Sequence, residues 1–395
     1  MPTAVGPNTK GEESLVFGYD LGDVSNSYKG EPTTPLRDTF PTDTTLPTGY
    51  HWTYEYDFEI VDAPVSGHFL SNQKWIKGVR DTTGSRRILF LNYSFTAGRT
   101  YTFSCYMYSN DSRLTSIAQV SHNGTYSSYQ SGIEYTSADT GTVKRIHGTW
   151  IQQQNGSSIF GMQTNNAALG ATFYMTGLQV EEKGHPTQLT VETRSATQGL
   201  IDLTDNSTID LTNVSFDSNA QLTFDGTGDY VEATAATDVT GSITLEAVFK
   251  EFSGTAPHTT VICTDRSHQY GVKLMSYKNH NRYGLWLGFG TSSYVAMVDA
   301  TLNNNVTYHL VGTWERSSGV VKIYLNGELT GTINTGQTSA IALNDGKITL
   351  GRDYHGFGSS YGLNGDIYLG KVYDRVLTAE EIKANFNAVK SRFNI

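Results

Sequence analysis

The chain has 395 residues, a formal net charge of -10 and only 17% charged residues, with a sequence pI near 5.5. The length allows two or three domains with separate cores, and the acidic balance excludes a basic nucleic-acid surface. No segment approaches the roughly 20 consecutive apolar residues of a membrane span, so no membrane insertion is expected.

Residues 1–48 hold Pro2, Pro7, Pro32, Pro35, Pro41 and Pro47, six of the nine prolines in the chain. Proline fixes φ and cannot donate to a sheet ladder. The stretch therefore reads as an extended arm, either disordered or held by a neighbouring subunit, with one short strand at "LVFGYDLG". The first residues, "MPTAVGPNTKGEES", show no basic n-region and no apolar run, so no secretory signal is expected.

Residues 49–194 alternate apolar and polar side chains in short runs separated by turns, which predicts an antiparallel sandwich. In "RTYTFSCYMYS" the residues Tyr101, Phe103, Cys105 and Met107 share one face, making Cys105 a core thiol. Cys263 falls in the other domain, so no disulfide is expected, and two thiols without clustered His make no zinc site.

The first predicted strand of that sandwich, "TYEYDFEIV", carries Glu55, Asp57 and Glu59 as E-x-D-x-E. Such a run is one way to present a glycosidase's paired carboxylates. On a regular strand, residues two apart lie about 6.6 Å apart and residues four apart about 13 Å. Retention needs carboxyls about 5–5.5 Å apart and inversion about 6.5–9.5 Å. Glu55 and Glu59 are too distant for retention, and neighbouring positions leave no slot for a sugar. Trp52, Tyr54, Tyr56, Phe58 and Ile60 alternate with the acids, so the run reads as a half-buried edge strand with one wet face.

Residues 195–213 are polar and turn-forming and read as a linker. Residues 214–395 resume the strand pattern and end in the one convincing helix. Thr378 and Glu381 have capping-box spacing, Leu377 and Ile382 occupy the staple positions, and Ile382, Phe386 and Val389 form an apolar stripe. Asn326-Gly327 predicts a tight hairpin between "VKIYL" and "ELTGT". The expected fold class is therefore all-β: an extended N-terminal arm, two antiparallel β-sandwich (jelly-roll) domains and a short C-terminal helix.

"TYHLVGTWERSSGVVKIYLNGELTGT", "ITLGRD" and "LNGDIYLGKVYDRVLTAEEI" resemble the laminin-G-like, concanavalin-like jelly-roll family over residues 214–395. Tyr308 departs from that pattern, standing where the family usually has Trp before the His. Residues 49–194 resemble a carbohydrate-binding-module type of sandwich through "AGRTYTFSCYMYS", "HGTW" and "TFYMTGLQVEEKGHPTQLTVETRS". In "LVFGYDLGDVSNSYKGEPTT", "RSATQGLIDLT" and "IDLTNVSFDSNAQLTFDGTGDYV" the arm and linker resemble virion structural proteins of tailed phages of marine, cyanophage-like type. These resemblances imply a fibre-type virion protein, synthesised in the host cytoplasm. It would be displayed on the particle surface and joined to other virion proteins through the arm. They also imply a homotrimer.

Three kinds of site follow. Calcium suits hard oxygen ligands on loops and is often held at the rim of laminin-G-like sandwiches; its candidate ligands are Asp225, Asp229 and Asp366. Asp-Gly is equally a turn signal. A serine nucleophile would need Ser360 of "GSSYG" on a strand-to-helix elbow, but no helix follows for more than ten residues. Glycan contact calls for exposed rings beside short polar groups. The candidates are His280, Arg282, Trp286, Arg352, Tyr354, His355 and Tyr361. Trp286 shares a strand face with Gly284 and Gly288, and is either an open platform or a core residue. The leading expectation is a non-enzymatic virion protein binding host-surface polysaccharide. The alternatives are a polysaccharide depolymerase using Glu55, Asp57 and Glu59, and a capsid decoration protein that binds no sugar.

Overall fold

The computed structural model describes residues 13–37, 39–53, 56–81, 87–91, 93–111, 113, 118–121, 127–156, 161–164, 169–217, 221–234, 239–252, 258–265, 267–277, 280–353 and 362–395. These fall into two units, one formed by residues 1–32 with 195–395 and the other by residues 33–194. Among the described residues the protein is nearly all β, with four antiparallel sheets and one long helix, Ala379–Phe393.

In the unit that contains the C-terminus, one sheet runs Ser215–Phe216, Leu222–Asp225, Asn364–Tyr373, Ile243–Glu251, Thr307–Glu315, Val320–Leu325 and Glu328–Asn334. The other runs Thr208–Asp210, Val231–Thr234, Ile348–Leu350, Thr259–Cys263, Val272–Tyr277, Arg282–Gly288 and Ser293–Asp299. Alternate residues from both sheets, among them Leu245, Phe249, Leu274, Leu285, Leu310 and Trp314, are fully buried in a shared core. Each such side chain contributes about 1.5–3 kcal/mol. Asn326 and Gly327 have φ of 51° and 78°. Both central residues of the hairpin are thus left-handed, the type I′ geometry that matches strand twist.

The segment expected to be an arm is part of this unit. Leu15–Asp20 pairs antiparallel with Asn364–Tyr373, and Phe17 and Tyr19 are fully buried. Asp20 accepts a hydrogen bond from Arg392 at 2.6 Å, tying the first strand to the last helix. The expected linker also belongs to the sandwich: Leu200, Leu203, Ile209 and Leu211 are buried, and Thr208–Asp210 pairs with Val231–Thr234. The carboxylate of Asp202 accepts from Gly18 N (3.0 Å) and Thr204 Oγ1 (2.6 Å). The first strand's partner lies at the other end of the chain, and in residues 195–213 turn residues separate the buried leucines, so local composition carries no trace of either.

The helix follows its sequence signals. Thr378 Oγ1 accepts from Glu381 N (3.2 Å), and Glu381 Oε2 accepts from Thr378 N (2.8 Å), a reciprocal capping box. Leu377, Ile382 and Val389 are buried and Phe386 half-buried. The helix also covers a polar cluster on the neighbouring sheet. Glu246 Oε1 lies 2.8 Å from His309 Nε2, while Glu246 Oε2 accepts from Asn385 Nδ2 (2.9 Å) and Tyr373 OH (3.2 Å).

Residues 33–194 are inserted between that first strand and the rest of the sandwich. Thr33 and Arg194 exchange backbone hydrogen bonds of 2.9 and 2.8 Å where the insertion begins and ends. Residues 33–48, expected in the arm, pack here instead. Leu36 N donates to Val180 O (2.8 Å), Leu178 N donates to Thr39 O (2.8 Å), and Leu36 and Leu46 join the core. One sheet runs Tyr56–Val61, Trp75–Arg80, Thr172–Glu181, Thr100–Tyr108, Lys144–Gln152 and Ser127–Ile133. The other runs Tyr50–Trp52, Arg87–Leu91, Gly161–Thr164 and Ala118–Ser121. Between them lie Phe103, Cys105, Met107, Trp150 and Phe173, all buried. Cys105 is a fully buried thiol outside any disulfide, and burial pushes its pKa far up.

Of the predicted strand "TYEYDFEIV", Tyr56–Val61 forms the edge of the six-stranded sheet, while Tyr50–Trp52, just before it in sequence, belongs to the other sheet. The apolar alternation survives because Tyr56 and the half-buried Trp52 and Phe58 face the same core from both sheets.

Candidate functional site

The strands Val272–Tyr277, Arg282–Gly288 and Ser293–Asp299 form an antiparallel meander in register, with Tyr277 opposite Arg282 and Arg282 opposite Asp299. At this end of the sheet, Ser276, Asn281, Arg282, Thr301, Leu302, Asn303 and Asn304 line a cleft of about 230 Å³. Local backbone chemistry holds its walls. Asn281 turns into the strand with φ of 50°, a conformation Asn tolerates better than most residues. Leu302 is buried in the core and anchors the facing loop. Asn303 N donates to Tyr308 OH (2.9 Å), and Asn305 N donates to Glu251 O (2.7 Å). Arg282 pairs with Asp299 through its Nε, and both side chains are more than half exposed. Beside the cleft, the His258 ring stacks on Tyr277 at 4.7 Å.

The lining offers hydroxyls, amides and one guanidinium around a single apolar side chain. That set can donate to and accept from several vicinal hydroxyls at once. None of the seven lining residues is acidic, so the cleft itself does not supply the two carboxylates of glycoside hydrolysis.

The structure divides the predicted glycan residues. Arg282 lies in the cleft, and His280 is exposed two positions before it. Trp286 is four residues along the strand, about 13 Å away at strand spacing. Leu285 and Leu287 point into the core, so Trp286 faces outward, half-buried, with the His268 ring 5.8 Å away. The nearby glycine does not create open space: a Cβ on Gly284 would lie 2.1 Å from Ala296 O. It permits close strand approach instead. Arg352 is half-buried, with its carbonyl 3.9 Å from Cys263 Sγ. Tyr354, His355, Tyr361 and Ser360 lie outside the described residues.

At the Trp286 end, sequence reasoning missed a buried ion pair. Lys273, cross-strand from both Cys263 and Trp286, bonds Asp353 at 3.1 Å and Ser267 O at 3.2 Å. Lys273 and Asp353 side chains are 1% and 0% exposed. The only signal was a lysine interrupting the apolar run "VKLM". Cys263 is buried beside this pair, and burial pushes its thiol up to about 12. Asp265 pins the adjoining loop. Burial opposes its ionisation, but the backbone N–H groups of Asn344, Ser267, Asp345 and Gly346 outweigh it and lower its pKa.

The calcium candidates do not converge. Asp225 accepts from Thr227 N (2.7 Å), Thr227 Oγ1 (2.7 Å) and Gly228 N (2.8 Å), closing its own turn. Asp366 is engaged by Lys250 (2.9 Å) and Tyr368 OH (2.8 Å). Burial, with Asp225 nearby, raises the pKa of Asp229. Among the described residues, no group of three His, Cys, Asp or Glu side chains could hold a metal. "FDGTGDY" is a self-capped turn.

Of the E-x-D-x-E carboxylates, Glu55 lies outside the described residues. Asp57 and Glu59 are exposed on an edge strand, and Glu59 bonds Lys77 at 2.9 Å. The wet-face reading fits this placement.

Comparison with known proteins gives no match among curated proteins. Among solved structures, the receptor-binding domain of botulinum neurotoxin D is 14% identical, with TM-score 0.39 over 49% of this chain and 51% of that one. The serotype G binding domain is 14% identical, with TM-score 0.40 over 49% of each chain. A structure of botulinum neurotoxin type C, whose cell entry depends on interaction with two ganglioside molecules, is 16% identical, with TM-score 0.40 over 49% and 50%. The chain thus spans about half the length of these structures. Residues 225–383, which include the whole cleft, match the family model of the concanavalin A-like lectin/glucanases superfamily, Laminin_G_3, and the sandwich that carries the cleft is similar to a concanavalin-like jelly roll.

Proposed function

We propose that the protein is a non-catalytic carbohydrate-binding protein, and that the cleft at Asn281, Arg282 and Thr301–Asn304 is its sugar site. The observation that carries this reading is the cleft's lining, in which amides, hydroxyls and a guanidinium surround one apolar side chain at the exposed end of a lectin-type sandwich. The resemblance of the arm and linker segments to tailed-phage virion proteins supports the rest of the proposal. On this reading the protein is made in the host cytoplasm, sits on the particle surface as a homotrimer, contacts other virion proteins and binds host-surface polysaccharide.

A glycan array probed with the intact chain tests the binding, with Arg282→Ala and Asn303→Ala as controls for location. Binding that both variants abolish is the expected result. Binding that neither variant changes would remove the cleft from the account. Release of shorter oligosaccharides from a bound polysaccharide would replace the reading with a hydrolase. Light scattering tests the trimer, and imaging of the intact particle tests its location; a monomer in the first would overturn the trimer.

A further inference from the structure

The unit of residues 33–194 carries a second surface with a different character. The outer face of its six-stranded sheet is half roofed by the chain that follows Thr172–Glu181. Thr102 Oγ1 donates to Lys183 O (2.9 Å), Gln179 Nε2 donates to Thr187 Oγ1 (3.1 Å), and Gln179 Oε1 accepts from Thr190 N (2.9 Å). Thr102, Ser104 and Gln179 are fully buried there. Further along the same face, Tyr106, Tyr108 and Tyr174 are only half-buried.

A hydrogen-bonded turn sets one more ring on this open half. Ser71 N donates to His68 O (2.9 Å) and Gln73 N to Leu70 O (3.1 Å). Leu70 is buried, its N–H donating to His68 Nδ1 (3.2 Å) and its carbonyl accepting from Trp75 Nε1 (3.2 Å). Phe69, between these fixed residues, is 67% exposed. Its ring lies 5.3 Å from Tyr106 and 4.5 Å from His68. A lone exposed phenyl needs no explanation, but a contiguous ring cluster held outward by a pinned turn marks a contact surface.

The charge on the patch selects the occupant. The Arg145 guanidinium sits 5.5 Å over the Tyr106 ring and donates from Nη2 to Ser104 Oγ at 2.9 Å. Its Nε has no hydrogen-bond partner, and no carboxylate pairs with it among the described residues. Of the acids on the neighbouring strands and loops, Glu59 pairs with Lys77, Asp62 with Lys74 and Asp139 with Lys144, and buried Glu181 accepts from Thr33 and Thr187. His147 is cross-strand from Ser104 on this face, and burial, then Arg145 and His185 nearby, lowers its pKa. An uncompensated cation beside exposed rings, in a chain of net charge -10, is complementary to an anion with an apolar face.

We propose that Phe69, Tyr106 and Arg145 bind a carboxylated sugar, its C–H face on the phenyl and its carboxylate on the guanidinium. This site is independent of the cleft in the other unit and stands or falls separately.

The test titrates the intact protein, at low salt, with hexagalacturonate, an alginate hexamer, a hyaluronan hexamer and 3′-sialyllactose, alongside neutral maltohexaose and an oligoglutamate. At least one carboxylated sugar binds, and Phe69→Ala and Arg145→Gln each weaken it tenfold or more. Phe69 is exposed, so its variant folds normally. Arg282→Ala leaves this binding unchanged, and methyl-esterifying the sugar abolishes it. The proposal is overturned if none of the four binds, or if Phe69→Ala and Arg145→Gln bind like the native chain. Equal affinity for the esterified sugar or for oligoglutamate overturns it as well.

Discussion

The hairpin Val272–Gly288 carries a charge pair at each end, and the two ends behave differently. At one, Lys273 and Asp353 are almost fully buried, with Trp286 half-covered near His268. At the other, Arg282 and Asp299 are more than half exposed beside the polar cleft. The residue types are alike. Solvent access separates them, because a buried pair stripped of one partner strands a charge, whereas an exposed pair exchanges its partner for water at little cost. The closed end is thus part of the scaffold, and the open end has a guanidinium that a ligand can recruit.

The largest effect expected from this contrast is at the closed end. Asp353→Ala removes the carboxylate bonded to buried Lys273 and lowers the stability of the C-terminal sandwich by about 3–5 kcal/mol, read as a shift of that unit's transition in chemical denaturation. A shift below about 1 kcal/mol would mean that Lys273 reaches water and that the two ends are equivalent.

Acid offers a second test, on the polar cluster beneath the helix. Burial opposes the charge on Glu246, but the hydrogen bond from His309, the field of Lys371 and the amide of Asn385 prevail, and its pKa falls from 4.5 to about 2. The folded value lies below the unfolded one, so this stabilisation is complete above about 4.5 and is lost as pH falls toward 2. The protection of the amides along Ala379–Phe393, corrected for intrinsic exchange at each pH, should fall through that window and stay flat above it. Equal protection at pH 6 and pH 3 would contradict the account. A smaller loss, about 1 kcal/mol, is expected for Thr378→Ala, which removes the cap at the start of the same helix; denaturation midpoints measure it.

The smallest stability effect belongs to the open end. Asp299→Asn should change stability by less than about 1 kcal/mol. Arg282→Ala should leave the midpoint similarly unmoved while lowering sugar affinity tenfold or more, since a hydrogen bond to a charged group is worth about 1.5–3 kcal/mol. Paired denaturation and titration of the two variants separate those outcomes.

Features set by neighbours in sequence were legible before the fold was known. The Asn326-Gly327 turn, the Thr378–Glu381 cap and the core stripe from Tyr101 to Met107 all depend on residues within a few positions. What depends on distant partners was not. Leu15–Asp20 looked like part of an arm because its partner is the last strand, more than 340 positions on. Leu200 to Leu211 looked like a linker because turn residues separate the buried leucines. The apolar alternation from Trp52 to Ile60 read as one strand because two sheets facing one core preserve it across the crossing. The site was half legible. Arg282 announced itself among polar loop residues, whereas Thr301–Asn304 reach it only by the return of the chain, and Trp286 could not be assigned a face until its neighbours Leu285 and Leu287 were placed in the core.

The central claim, that the open end of this hairpin is the sugar site, is tested most directly by a crystal structure of the chain soaked with the strongest oligosaccharide from the array. Sugar density is expected in the cleft, with hydroxyls within hydrogen-bond distance of Arg282 and Asn303. Sugar bound elsewhere on the C-terminal sandwich, with the cleft empty, would contradict it.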